Sequence, residues 1–261
     1  MSESHPSLAG LRRRLARIAG DAEPRAEGAG RIASGHAGFD AALGGGLARG
    51  RMHEFFAADA LDAASAAAFA ALLALCGEGD APILWLRMDD GARRAGQVYG
   101  PGFAELGGDP GRLLIVEAGD ASALLRAAND AARAPGSAAV VVESWGAMPA
   151  LDLTAGRRLV LAARGAGTTL LMLRLAASPV PSVAETRWDV RAAPSAALAA
   201  EAAGGPAFDL ELLRWRAGPA GMRWRLEWNR DERSFRDAAL SGAVLPLPAR
   251  RAPAARRAAA A

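Results

Sequence analysis

Between residues 51 and 175 the chain alternates short apolar runs with longer stretches of helical pattern. The runs fall at 51–56, 83–86, 113–116, 140–142 and 168–175, and each reads as a strand. Between them the pattern predicts helices over 62–75, 121–133 and 157–164. The first is alanine-rich and nearly all apolar, which predicts burial on most sides. Asp120 or Ser122 stands ready to cap the second. Strands written as unbroken apolar runs and separated by helices indicate a mostly parallel sheet with helices on both faces, an α/β fold.

The pattern changes toward both ends. Residues 8–19 read as a short amphipathic helix, with Leu8, Leu11, Leu15 and Ile18 on one face and Arg12, Arg13, Arg14 and Arg17 crowding the rest. A Gly/Pro/charge-rich linker follows to about residue 31, and 32–50 is loop-rich around Gly44, Gly45, Gly46 and Gly50. Beyond residue 207 the period becomes two: Phe208, Leu210 and Leu212 alternate with Asp209 and Glu211. After the turn signal at 218–221, Met222, Trp224, Leu226 and Trp228 alternate with Arg223, Arg225 and Glu227. That is a β-hairpin over 208–230, expected on one edge of the sheet. From Pro246 on, four arginines among prolines and alanines, with no acid, predict a disordered basic tail. The organisation expected is a helix and linker over 1–31, one α/β domain with its hairpin over 32–245, and the tail over 246–261.

Composition changes this picture in three places. All 31 basic residues are arginine, so the pI of about 10.2 exaggerates a net charge of only +3. One cysteine, Cys76, excludes an intramolecular disulfide framework, and His5, His36 and His53 are too scattered for metal-ligand spacing. No apolar run approaches the roughly 20 residues that span a bilayer, and no export signal is visible, so the cytoplasm is the expected compartment.

The candidate chemistry lies at 34–56, SGHAGFDAALGGGLARGRMHEFF, which resembles the entry to a RecA/KaiC-type core. In active members the strand ending here runs into a glycine-rich loop that closes on Gly-Lys-Ser/Thr. Backbone N–H groups wrap the phosphates, the lysine neutralises them and the hydroxyl holds Mg²⁺. Here the chain continues Ala57-Ala58-Asp59-Ala60-Leu61-Asp62-Ala63-Ala64-Ser65. Counted from Phe56, Ala63 falls in the lysine position, Ala64 in the hydroxyl position, and Asp62 sets a negative charge before them. A slip in register brings Ser65 to the hydroxyl position, but a chain without lysine has none to offer in any register. Glu143, closing the 140–142 run, resembles the acid that helps hold Mg²⁺ in this fold; its plainer reading is an ordinary acid at a strand end. Asp89 and Asp90, near the usual catalytic carboxylate, read as a solvated loop.

The whole-chain resemblance is to the ImuA family, RecA-like accessory factors of bacterial SOS mutagenesis cassettes. It rests on FDAALGGGLARGRMHEFF, on YGPG and AELGGDPGRLLIVEA, on VVVESW and ETRWDV, and on ELLRWRAGPAGMRWRLEWN, which together cover roughly residues 30–230. The resemblance implies a RecA-like fold with neither ATPase activity nor a nucleotide cofactor, and a part in damage-induced translesion synthesis. It also implies work beside an ImuB-like Y-family protein, a DnaE-type error-prone polymerase and RecA.

Without catalysis, function is expected in contact surfaces. The stripe Leu8, Leu11, Leu15 and Ile18 fits docking onto a partner, against a fold-back onto its own domain or a weak membrane-surface helix. Arg214, Trp215, Arg216, Arg223 and Arg225 interleave arginine with tryptophan, which suits nucleic-acid contact, with a protein partner as a third reading. Their strict alternation suits tryptophans facing the core and arginines facing water just as well. The rival functions are a DNA-binding module using hairpin and tail, and a divergent ATPase with arginine in place of lysine.

Overall fold

The computed structural model describes residues 30–77, 79–195 and 204–238. The expected helix carrying Leu8, Leu11, Leu15 and Ile18 and the arginine tail lie outside the described residues.

Alternating strands and helices build the core in the order expected from their apolar runs. β1 (Arg31–Ile32), α1 (Ala37–Ala42) and β2 (Leu47–Ala48) precede β3 (Met52–Ala57) and α2 (Ala63–Leu75). β4 (Ile83–Met88) follows, then two short helices, α3 (Gly91–Ala95) and α4 (Gly100–Glu105). The core closes with β5 (Leu113–Ala118), α5 (Ala121–Arg133), β6 (Ala139–Trp145), α6 (Leu153–Ala166) and β7 (Leu170–Leu175). Four further strands, β8 (Thr186–Ala192), β9 (Ala207–Trp215), β10 (Arg223–Asn229) and β11 (Ser234–Asp237), extend the same sheet.

That sheet has nine strands in the order β11-β10-β9-β8-β3-β7-β6-β4-β5. From β5 to β8 all neighbours are parallel; from β8 to β11 all are antiparallel. Successive side chains of a strand serve opposite faces, so the sheet divides two cores. Phe55, Val141, Leu171 and Leu173 pack with Phe69 and Leu73 of α2. Met52, Val142, Leu170 and Met172 pack with Leu124 of α5 and Leu159 of α6.

The helix expected over 62–75 begins one residue later, and the one over 121–133 has its expected bounds, with Asp120 Oδ1 accepting the Ala123 N–H. α6 outruns its expected span because Asp152 caps it a full turn earlier, accepting the Ala155 N–H, and Gly167 ends it with φ of 70°. The loop-rich 32–50 segment holds more order than its glycines suggested. Phe39 of α1 is fully buried and stacks on Trp188 at 5.3 Å. Gly46 is required there: it has φ of 107°, and a Cβ would lie 2.1 Å from the Ile32 carbonyl oxygen. Among the described residues no helix is long and apolar enough to cross a membrane.

Candidate functional site at the carboxyl end of the sheet

Ligands in open parallel sheets bind beyond the carboxyl ends of the strands, and here those ends are closed by the chain's own groups. After β3 the chain makes a 3₁₀ turn at Ala60–Asp62 and enters α2 directly. The Asp59 carboxylate caps that turn, accepting the Leu61 N–H at 2.9 Å. Asp62 Oδ1 accepts the Ala192 N–H at the end of β8, 2.8 Å away. Two carboxylates therefore stand where a phosphate cradle needs bare N–H groups. Ala63 is buried in the core against α2's neighbours, and Ala64 and Ala58 are exposed, while Ala57 is buried within the strand. The residues present do not fit magnesium and a nucleotide triphosphate.

Glu143 is the second element, and it is neither a free metal acid nor a simple strand-end cap. It is 4% exposed, and each of its oxygens accepts an indole N–H: Oε2 from Trp85 and Oε1 from Trp145, both at 2.8 Å. Trp145 stands two residues on, hence on the same face of β6. Trp85 arrives from β4, where it pairs with Val141. Sequence reasoning placed the acid and missed both donors. The spacing of Glu143 and Trp145 carried half of that signal, and only strand pairing carried the rest. Asp89 is exposed, as its loop reading had it, and Asp90 Oδ2 pairs with Arg94 at 2.9 Å. No group of three or more His, Cys, Asp or Glu among the described residues is arranged to hold a metal ion.

Two buried polar clusters flank β3, and neither was legible as a unit. On the α2 side His53 is fully buried; its Nε2 reaches the Ala48 carbonyl at 2.9 Å, and its Nδ1 reaches Thr186 Oγ1 at 2.7 Å. A carbonyl only accepts, so Nε2 carries the proton and Nδ1 accepts from the threonine hydroxyl. That hydroxyl in turn accepts the Trp188 indole N–H at 2.7 Å. Burial pushes the His53 pKa down to about 4. On the other side Arg187 donates to Glu54 at 2.9 Å and lies over the Phe56 ring, which Arg174 also approaches. Arg174 is 3% exposed, and burial lowers its pKa while Glu54 opposes the shift. Cys76 is half-buried, and desolvation drives its thiol up to about 12.

The hairpin places its two residue types on opposite faces. Trp224 joins Phe39 and Trp188 with ring centroids 5.2 and 5.8 Å away, and Trp228 is buried against Phe235 with its N–H on the Leu106 carbonyl. Trp215 is half-buried beneath the turn, where a Cβ on Gly218 would fall 2.2 Å from its ring. The arginines face outward but not alone. Arg223 pairs with Glu211 at 2.9 Å, and Arg225 grips both oxygens of Asp209 at 2.7 and 2.8 Å. Arg214 and Arg216 donate to the carbonyls of Ser182 and Val183. Within 213–230 the sequence offers only Glu227 as a counter-charge; the pairing acids come from the neighbouring strand, β9.

No protein-family model matches the chain, and no curated protein matches it in sequence. Among solved structures, the crystal structure of the RadB recombinase is similar at a TM-score of 0.54 and 15% identity. The match covers 80% of this chain and 100% of that one. Identity that low speaks for fold alone, and together with the strand order it establishes the architecture: the chain has a RecA-like recombinase fold with an antiparallel extension at the β8 edge.

Proposed function

We propose that this chain is a non-catalytic accessory protein of damage-induced translesion synthesis, acting through protein contacts with an ImuB-like Y-family protein, a DnaE-type error-prone polymerase and RecA. One observation carries the non-catalytic part. Both elements that handle nucleotide in a RecA-like fold are engaged internally, Asp59 and Asp62 in capping and cross-strand bonds and Glu143 between two indoles. Opening either element for Mg²⁺ and a triphosphate means breaking bonds to buried or backbone donors, and no lysine is available to repay them. The partner assignment rests on the resemblance of residues 30–230 to the ImuA family, which the RecA-like fold accommodates.

Titration calorimetry with ATP and Mg²⁺, run beside a phosphate-release assay, tests the first part; saturable micromolar binding or turnover overturns it. Co-purification with an ImuB-like protein, a DnaE-type polymerase and RecA tests the second. Failure to associate with any of them, where control pairs bind, overturns it.

A further inference from the structure

On the hairpin Arg223 and Arg225 pair with Glu211 and Asp209, Arg214 and Arg216 rest on backbone carbonyls, and Arg191 beside them pairs with Asp189. On the helical face behind the core the situation is different. Arg133 at the end of α5 and Arg157 and Arg158 in α6 are exposed, and no described residue forms an ion pair with them. Where the end of α5 meets α6 lies an open groove lined by Arg133, Pro135, Arg158, Leu161, Ala162 and Ala166. No acid lines it. Leu161 is 68% exposed, one of the largest apolar exposures among the described residues.

Those two properties together define what the groove fits. Guanidiniums without an ion pair attract carboxylates in bidentate geometry, and an exposed leucine among apolar neighbours gains by covering. A nucleic-acid backbone answers the first property and not the second, because phosphates gain nothing from covering a leucine. Arg133 lies in the last turn of its helix, where it also meets the negative helix end, but Arg157 and Arg158 stand in the first half of α6 and have no such use.

We propose that the α5–α6 groove docks an acidic peptide segment of a partner protein, one that sets an apolar side chain on Leu161 and carboxylates against Arg133 and Arg158. The site is argued from its own residues and stands apart from the accessory-factor reading, whose partners are not needed for the test. The probe is a fluorescein-labelled peptide with glutamates on both sides of a single leucine, titrated by anisotropy with the full-length protein. A labelled oligothymidylate serves as the nucleic-acid arm. Leu161→Asp and Arg158→Glu are each expected to weaken peptide binding by about tenfold or more. The double variant Arg223→Ala/Arg225→Ala is expected to leave it unchanged, and the oligonucleotide not to displace the peptide. Leu161 and Arg158 are surface positions, so thermal melts of the variants are expected to overlay the parent. Three results overturn the proposal: no peptide binding, binding that survives Leu161→Asp, or displacement by the oligonucleotide with the same dependence on Arg158.

Discussion

The Asp62 carboxylate accepts the backbone N–H of Ala192, a residue 130 positions away, across 2.8 Å. The bond ties the entry of α2 to the end of β8 at the place where a RecA-like fold ordinarily receives phosphate. Asp62 is half-buried but Ala192 is exposed, so water can take up part of what the lost acceptor gave. Asp62→Ala is expected to cost about 1 kcal/mol, read as a lower urea midpoint with unchanged slope. A variant as stable as the parent counts against this bond as a structural tie.

Glu143 makes a sharper test, because its substitution can keep shape and change only chemistry. In Glu143→Gln one end of the side chain becomes a donor and meets an indole N–H that needs an acceptor. About 1–3 kcal/mol of stability is expected to go, and tryptophan emission should change with it as Trp85 or Trp145 loses its partner. An isosteric variant with parental stability and emission argues that the clamp is not formed.

Acid should weaken the fold through His53. Its pKa lies near 6.5 when unfolded and at about 4 when buried, so the unfolded chain takes up the proton first as pH falls. The histidine's contribution is complete above pH 6.5, declines between 6.5 and about 4, and is gone below that. At ~1.4 kcal/mol per pH unit of separation, the loss is on the order of 3 kcal/mol. Urea unfolding of the parent and of His53→Gln at pH 7.0 and 4.5 measures it, the variant being expected to lose much less over that interval. Equal losses in the two proteins assign the acid sensitivity elsewhere.

Gly218 keeps Trp215 beneath the hairpin turn. Gly218→Ala drives a methyl into the ring, which must leave, at a cost of about 1–3 kcal/mol and with an altered near-ultraviolet dichroism. A spectrum and midpoint matching the parent would mean that the ring does not occupy that place.

The parallel core was legible because its information is local: unbroken apolar runs, helix periodicity and the Asp120 cap are each contained within a few residues. Missing strands had a different cause. Thr186, Trp188 and Val190 do alternate with Arg187, Asp189 and Arg191, but a strand of seven residues beside a ten-residue connection gives a weak pattern on its own. Its pairing with both β3 and β9 is what makes it a strand.

The absence of lysine was settled by the sequence alone, since a residue type that is not encoded cannot be supplied by folding. What occupies the empty position was not. Asp62 met Ala192, Glu143 met Trp85, and Arg225 met Asp209 through strand pairing and chain reversal, which bring together groups 16 to 130 residues apart. Hydrogen bonds and ion pairs depend on distances of about 3 Å, and only the tertiary structure sets those. The same dependence pairs Arg223 and Arg225 of the hairpin with acids of β9, and sets Arg133 and Arg158 beside a groove whose described lining holds no acid.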